Sequence, residues 1–500
     1  MIYFYLECDA LDNDIRSLFM AFYPGRAIKR IETKEYACAE GDLFLRVCMS
    51  DCAETQCLAN EDNTKKKMTM ELVQDGTLLD DACECELSDR KDTKTKAKCM
   101  LYCLLSKLTK KELPWGTLTG IRPTKIARTM LMEGASDEEC IDYMKNQMLC
   151  GEEKTMLSLD IAKREIKLLD CLDYEDGYSL YVGIAFCPTT CAYCSFTSYP
   201  VSRFGDRVDA YLDSIEKEID YVAEAFKDKK LNTIYIGGGT PTTLEPEQLE
   251  RLLSKIENSF NLSFLQEWTV EAGRPDSITR EKLKAIKSHP VTRISINPQT
   301  MKDETLELIG RRHTVLQVKE AFLLAREEGF DNINMDIIVG LPQETKEDVE
   351  NTLEEIKKLG PDNLTVHSLA IKRAARLNTQ KEEYAGMKSV NSESTMELTQ
   401  DAAEEMGMKP YYLYRQKNMT GNMENVGYAK PGKEGIYNIL IMEEMQTIVA
   451  LGAGAITKAV YPNGRIERCE NVKDIKTYLE KTDEMIERKK RLFADEKRSD

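Results

Sequence analysis

Along residues 178–369 short apolar runs alternate with stretches of helical periodicity. The runs fall at 179–184, 233–236, 268–271, 293–296, 333–339 and 364–369, and the amphipathic stretches lie near 203–227, 246–259, 279–288, 302–309, 314–328 and 345–358. Strands separated by helices of that length predict a parallel sheet with helices packed outside it, an α/β architecture. Six strands make a partial barrel, whereas eight would close one. Upstream, residues 1–165 alternate strand-like pieces such as 2–6 and 42–47 with polar turns, which fits a small α+β domain. A helix over 153–170 and a hinge at 173–177 lead out of it. Beyond Ala370 the rhythm breaks. A helix is expected at 393–406, a strand at 411–418, another beginning within 432–440, a glycine turn at 451–455 and a charged helix from 472 onward. The pattern divides the chain into an N-terminal α+β accessory domain at 1–170, a core at 171–378 and a smaller C-terminal α/β domain at 379–500 that closes the open end of the partial barrel.

Five hundred residues exceed one ordinary core, in keeping with that division. The formal net charge of −17, from 86 acidic and 69 basic side chains, argues against a general nucleic-acid surface. No apolar run approaches the ~18 residues of a membrane span, and the start Met-Ile-Tyr-Phe-Tyr-Leu has neither a basic region nor a cleavage signal, so a cytoplasmic location is expected. In that setting the 16 cysteines read as reduced thiols. Cys48, Cys52 and Cys57 invite a second metal site but lack the aromatic or glycine setting of an exposed ligand loop. The Gly/Pro-punctuated stretch 114–125 reads as a structural turn or as a docking loop offering Arg122 and Lys125.

One stretch changes this picture. In Tyr181-Val-Gly-Ile-Ala-Phe-Cys187-Pro-Thr-Thr-Cys191-Ala-Tyr-Cys194-Ser-Phe196, three cysteines are separated by three and then two residues, directly after the first core strand. Such a loop can wrap one corner of a cubane iron-sulfur cluster and leave the fourth iron open to a small molecule. Zinc prefers four protein ligands, and core cysteines are common; the residues alone leave both readings open. In a parallel sheet the reactive groups belong at the carboxyl ends of strands. Functional residue types do fall there: Gly237-Gly238-Gly239-Thr240 after the second strand, Glu271 ending the third, Asn297 and Gln299 beyond the fourth, Asp336 in the fifth, His367 and Ser368 in the sixth. Glycines let a backbone approach a ligand closely. Glu271 reads as an acceptor for a bound cation and Asp336 as a partner for a ribose diol, since a carboxylate in an apolar strand is costly unless hydrogen-bonded. Each keeps a structural alternative: a tight turn, a solvent-facing glutamate, a carboxylate capped by backbone amides. Arg311, with Arg312 and His313, also reads as an exposed helix-cap neighbourhood. Lys372, Arg373, Arg376, Arg415 and Lys417 add local positive charge; singly they read as salt-bridged surface residues, as a group they could receive a polyanion.

Taken together, the cysteine loop, Gly-Gly-Gly-Thr-Pro-Thr, Thr-Val-Glu-Ala, Arg-Ile-Ser-Ile-Asn-Pro-Gln-Thr, Ile-Gly-Arg-Arg-His, Asn-Met-Asp-Ile-Ile-Val-Gly-Leu-Pro and Leu-Gly-Ala-Gly-Ala resemble the oxygen-independent coproporphyrinogen III oxidase family of radical S-adenosylmethionine (SAM) proteins. The N-terminal region and the Trp-Gly-Thr-Leu-Thr-Gly-Ile-Arg-Pro loop make its HemZ branch the nearest, over almost the whole chain. The resemblance implies a radical SAM partial (β/α)6 barrel and a [4Fe-4S] cluster on Cys187, Cys191 and Cys194, which with Tyr181 form the catalytic centre. It implies SAM on the open iron, contacted by Tyr181, Gly238, Gly239, Thr240, Glu271, Gln299, Arg311, Asp336 and Ala370, with a second SAM beside the first in dehydrogenase-type members. It further implies anaerobic oxidative decarboxylation of coproporphyrinogen III to protoporphyrinogen IX in haem biosynthesis, an electron donor such as flavodoxin or ferredoxin, and a separate electron acceptor. Arg373, Arg376, Arg415 and Lys417 become candidate anchors for substrate carboxylates. The chain departs from the family at Gly183 and Ala185, where histidine and proline are usual, and at Phe196, where the dehydrogenases carry an extra cysteine. Relatives that carry haem without decarboxylating anything, or open its ring by radical methyl transfer, keep those two readings alongside.

Overall fold

In the computed structural model, residues 1–494 are described except 37, 52–64, 175, 373, 381, 383, 385, 386, 388–390, 417, 418, 420–422 and 463. They group into two compact units, Met1–Lys163 with Arg415–Asn418, and Arg164–Tyr414 with Met419–Asp500. Period-two alternation builds the first. β1 (Ile2–Leu6), β2 (Ile28–Arg30), β3 (Leu43–Asp51), β4 (Lys65–Gln74) and β5 (Thr77–Glu86) form a sheet in the order β2-β1-β3-β4-β5. Ile2, Phe4, Leu43, Leu45, Val47, Met68, Met70 and Leu72 share one apolar core with Ile15, Leu18 and Phe19 of helix Asp12–Phe22 and with Leu101, Leu104 and Leu105 of helix Arg90–Thr109. The longer helix begins at Asp89, whose carboxylate accepts from the Asp92 N–H, and ends at Lys110 in a left-handed conformation. The 114–123 loop is packed structure: Trp115 is fully buried, and the Thr117 N–H donates to the Met148 carbonyl at 2.8 Å. Gly116, at φ +52°, lies so close to the Met148 and Leu149 carbonyls that no side chain would fit. Cys48 lies in β3; Cys52 and Cys57 lie outside the described residues.

The second unit holds β6 (Gly177–Ile184), the short β7 (Phe186–Cys187) and β8 (Tyr199–Pro200), then β9 (Lys230–Gly238), β10 (Glu267–Gly273), β11 (Arg293–Gln299), β12 (Ile333–Val339) and β13 (Asn363–Ser368). β6, β9, β10, β11, β12 and β13 are parallel neighbours in that order, as the pattern predicts. Helices including Val208–Ala225, Pro246–Ser259, Arg280–Lys287, Val315–Glu327 and Lys346–Leu359 connect them. Alternate residues such as Val182, Ile236, Val270, Ile296, Ile337 and Val366 are wholly buried, as expected of the face that the helices cover. The opposite parity is polar: Ser179, Tyr181, Thr233, Tyr235, Thr269, Glu271, Ser295, Asn334, Asp336, Thr365 and His367.

The C-terminal stretch does not form the separate domain expected at 379–500. β14 (Lys409–Tyr414) and β15 (Asn425–Ala429) add antiparallel beside β13, while β16 (Thr447–Leu451) pairs parallel with β6 and is followed by antiparallel β17 (Ile456–Val460) and β18 (Ile466–Glu470). The result is one eleven-stranded sheet, β14-β15-β13-β12-β11-β10-β9-β6-β16-β17-β18. A six-stranded open sheet has two edges of unpaired backbone groups, and these strands satisfy both. The division between units falls at 163/164, inside helix Glu152–Leu169, instead of at 170. The strand expected within 432–440 is a helix, Ile436–Glu443, because Tyr437, Ile439, Leu440 and Glu443 bury at three- and four-residue spacing.

Candidate active site

β6 runs out at Ile184, and the chain passes through β7, which pairs with β8, into the cysteine loop. Cys187 and Cys191 are buried and Cys194 partly so. Burial pushes the Cys187 thiol up to about 11, against the Thr240 hydroxyl, and the charges of Cys191 and Cys194 push the same way. Burial likewise raises the Cys194 thiol. Buried thiols of this kind become thiolates only beside added positive charge, which a metal cluster brings. Among the described residues no three His, Cys, Asp or Glu side chains are gathered as a metal-binding group.

The glycine triplet lies against this loop. The Gly239 N–H donates to the Ile184 carbonyl at 2.6 Å and the Thr240 N–H to the Phe186 carbonyl at 2.7 Å; the Thr240 hydroxyl is 3.4 Å from Cys187 Sγ. A side chain at Gly239 would run into the Phe186 carbonyl and Cys187 Sγ, and one at Gly237 would press on the Glu271 carboxyl. Two amides of this turn are therefore spent on the chain that leads into the cysteine loop.

Inside the barrel, the Tyr235 hydroxyl donates to Glu271 Oε1 at 2.5 Å. Burial pushes Glu271 up to about 7, opposed by that hydrogen bond and reinforced by the charge of Asp336. For Asp336 burial also acts upward, but His367, the Asn334 amide at 2.6 Å and Arg293 outweigh it and hold the carboxyl below its ordinary range. His367 stands 3.8 Å from Asp336 and 3.4 Å from the Tyr414 hydroxyl. The rings of Tyr181, Tyr235 and Tyr437 stack, Tyr235 and Tyr437 with centroids 4.5 Å apart. At the end of β11, Gln299 adopts φ +69°, a strained value for a residue with a side chain. Gln299 Oε1 and Arg311 Nε are buried with no hydrogen-bond partner among the described residues. Orphaned buried polar atoms cost about 1–3 kcal/mol each, so they point to a polar ligand. Three cysteines in one loop after β6, with a buried carboxylate and orphaned polar atoms near the ends of later strands, are donor types suited to an iron-sulfur and SAM cofactor system in general.

Arg311 is buried, not an exposed cap: its guanidinium donates to the Asn297 carbonyl and bonds the Cys191 and Tyr193 side chains. Ala370 ends the β13 path and bridges to Met419. Of the expected substrate anchors, Arg376 and Arg415 are described, and each donates to a backbone carbonyl. Arg376 Nη2 donates to the Thr190 carbonyl at 2.9 Å. Arg415 belongs to the first unit, where its guanidinium donates to the Leu118 carbonyl and lies 6.0 Å over the Trp115 ring, and its N–H donates to the Ile121 carbonyl. A buried loop carbonyl requires a donor, and Arg415 supplies it. Arg373 and Lys417 lie outside the described residues. Of the family departures, Gly183 carries a carbonyl that accepts from the Tyr211 hydroxyl at 2.6 Å and against which Gly452 packs, whereas Phe196 is 76% exposed. Arg274, Tyr235 and Tyr437 escaped the sequence reading. The one local signal was Arg274 and Asp276 two residues apart just after a core strand.

A family model described as the radical SAM superfamily matches residues 181–356, from within β6 into the helix Lys346–Leu359 that follows β12. The chain is 44% identical over 391 residues to the oxygen-independent coproporphyrinogen-III oxidase-like protein HemZ of Bacillus subtilis, covering 76% of this chain and 77% of that one. It is 33% identical over 279 residues to the heme chaperone HemW of Lactococcus lactis, covering 55% and 68%. Its fold is similar to that of the coproporphyrinogen III oxidase HemN of Escherichia coli, a radical SAM enzyme, with a TM-score of 0.50 and 23% identity over 62% of this chain and 70% of that one. The cysteine loop at the mouth of a six-stranded parallel barrel and the extent of the match to HemZ lead to one assignment: the chain belongs to the oxygen-independent coproporphyrinogen III oxidase-like family of radical SAM proteins.

Proposed function

We propose that the protein carries out radical SAM-dependent oxidative decarboxylation of a coproporphyrinogen-type substrate in haem biosynthesis, coproporphyrinogen III to protoporphyrinogen IX. The observation that carries this reading is the 44% identity to HemZ across most of both chains. Cys187, Cys191 and Cys194 would hold a [4Fe-4S] cluster whose open iron takes SAM. Bound there, cluster and SAM supply one electron and a 5′-deoxyadenosyl radical. Glu271 accepts the ammonium of SAM, Gln299 its amino-acid end, and Asp336 its ribose hydroxyls, while the Gly238-Gly239-Thr240 turn and Ala370 shape the walls. Tyr181, stacked on Tyr235, closes the floor and keeps water from the reacting propionate. Loss of a hydrogen atom and carbon dioxide from each of the two reacting propionates, with the remaining electron passed to an external acceptor, would leave a vinyl group there and keep the other two propionates. A second SAM beside the first, a small flavodoxin- or ferredoxin-type electron donor and a cytoplasmic location belong to the same reading. No helix among the described residues is long and apolar enough to cross a membrane.

One observation favours a haem carrier instead: the 33% identity over 279 residues to the heme chaperone HemW. The deciding experiment is anaerobic incubation with reductant, SAM, coproporphyrinogen III and an electron acceptor, followed by chromatography. Substrate-dependent protoporphyrin and 5′-deoxyadenosine are the expected products. SAM cleavage without carbon dioxide loss, across several acceptors, would overturn the reading. Stoichiometric haem binding would then favour the carrier, and haem consumption with methyl transfer would favour ring opening.

A further inference from the structure

The cysteine loop is held by contacts that the proposed cofactor chemistry leaves without a role. Arg274, the first residue beyond β10, has a side chain only 3% exposed and grips Asp276 with both ends of its fork, Nε to Oδ1 at 3.0 Å and Nη2 to Oδ2 at 2.7 Å. Its Nη1 donates to the Thr189 carbonyl at 3.0 Å and to the Thr189 hydroxyl, which in turn donates to the Gly310 carbonyl at 3.0 Å. Arg376 Nη2 donates to the Thr190 carbonyl at 2.9 Å, and the Leu377 N–H to the Ala192 carbonyl at 3.0 Å. Three carbonyls between Cys187 and Cys194 are thus taken by donors from outside the loop.

A trans peptide unit is planar, with its N–H directed opposite to its C=O. Holding the Thr189, Thr190 and Ala192 carbonyls therefore turns the N–H groups of Thr190, Cys191 and Tyr193 to the other side. None of those three donates to a backbone carbonyl or a side chain among the described residues. Loop amides around thiolate-bound iron serve as N–H donors to sulfur, and such bonds, like nearby positive charge, set cluster reduction potentials.

We propose that Arg274 is a positioning residue: with Arg376 it pins the carbonyls of the cysteine loop so that the loop's N–H groups serve the sulfurs of the cluster and raise its reduction potential. The Asp276 fork keeps the Arg274 guanidinium oriented, and its fixed charge reinforces the effect. This inference rests on the cluster reading given above.

The test uses the full chain, reconstituted anaerobically with iron and sulfide. Thr189→Val, Arg274→Lys, Arg274→Gln and the double variant Arg274→Gln with Asp276→Asn are compared with wild type by iron and sulfide content, by redox titration followed by electron paramagnetic resonance, and by thermal midpoint. Arg274→Gln and the double variant should retain iron but titrate at a more negative potential with an altered spectrum of the reduced cluster. Arg274→Lys, which restores one charged donor, should recover part of the shift, and Thr189→Val should move the potential in the same direction by less. Because Arg274→Gln leaves Asp276 partly buried and unpaired, it risks misfolding; the double variant removes both charges, and Thr189→Val changes neither. An unchanged potential and spectrum in Thr189→Val and in every arginine variant that folds overturns the proposal. A wild-type chain that takes up no iron, or a Cys187→Ala chain that keeps a full cluster, defeats the cluster reading instead.

Discussion

In the sheet β2-β1-β3-β4-β5, alternation puts Phe4, Leu45 and Met70 into a continuous apolar core and leaves Lys29, Arg46 and Glu71 on the other parity, in or near water. In β6 and β9–β13 the same alternation runs the other way about: the apolar parity serves the helices, and the polar parity lines the interior. That lining is held by side chains bonding one another across strands, Thr233 to Ser179 at 2.7 Å, Asn334 to Ser295 at 2.8 Å and Thr365 to Asn334 at 2.9 Å. A buried polar group costs free energy unless it is paired, so a polar interior is stable only where its members satisfy each other. The first unit is held mainly by burial of apolar surface; the second adds a network that also presents chemistry. Gln299 and Arg311 are among the places where the network fails to close, and there a ligand has something to complete.

Four experiments break or sharpen that contrast. The largest effect is expected at the loop: Cys187→Ala, Cys191→Ala or Cys194→Ala should each abolish the iron taken up on reconstitution. Cys83→Ser or Cys85→Ser, in the first unit, should leave iron content unchanged; equal loss there would erase the distinction between the units. Next comes the ion pair of Lys489 and Glu218, 2.6 Å apart with both side chains fully buried, whose glutamate also accepts from Gly452 N, Tyr478 and Asn471. Lys489→Met strands that carboxylate and should cost about 3–5 kcal/mol, read as a loss of denaturation midpoint in the second unit. A cost below about 1 kcal/mol would mean that the network matters little to stability.

In the first unit Leu45→Ala should cost about 2–5 kcal/mol through lost burial and a cavity, with SAM affinity of the remaining folded protein unchanged by calorimetry. Reduced SAM affinity would contradict the division of labour. The smallest change concerns the interior carboxylates. Removing either charge, by Glu271→Gln or Asp336→Asn, should weaken SAM binding about ten- to a hundred-fold, the worth of one charge-assisted hydrogen bond, with iron content intact. Since burial sets Glu271 at about 7, a bound ammonium, which favours the charged form, should release a proton, and SAM affinity should fall as pH drops below that value. The slope should vanish in Glu271→Gln; its persistence would assign it elsewhere. For folding the sign is fixed by the same shift. A carboxyl raised above its unfolded value contributes stability that is fully present below about 4.5, the ordinary value, and lost as pH rises through about 7.

Much of this was legible along the chain because the signals are local. The run at 333–339 is β12 to the residue, and the other core runs fall within or a single residue beyond their strands, since strand and helix periods are set by neighbours two to four positions away. The cysteine spacing needs no tertiary information either, because eight consecutive residues carry it. Glu271 and Asp336 were legible as carboxylates out of place in apolar strands. The helix Ile436–Glu443 was missed because a short apolar run fits either period, and only its packing selected one.

By itself, then, the sequence determined the repeating α/β rhythm, the thiol loop and the carboxylates facing the interior, all properties of residues near one another in the chain. Only the tertiary structure decided which side chain answers which backbone group. Arg274 reaches Thr189 across 85 positions, Thr189 reaches Gly310 across 121, and Arg415 reaches Leu118 across 297. A buried carbonyl must find a donor, and the donor it finds depends on which strand ends the fold brings together. Hence Arg415, which reads along the chain as a salt-bridged surface residue or a carboxylate anchor, donates to a carbonyl inside the first unit, while Arg274, which no motif singles out, grips the cysteine loop.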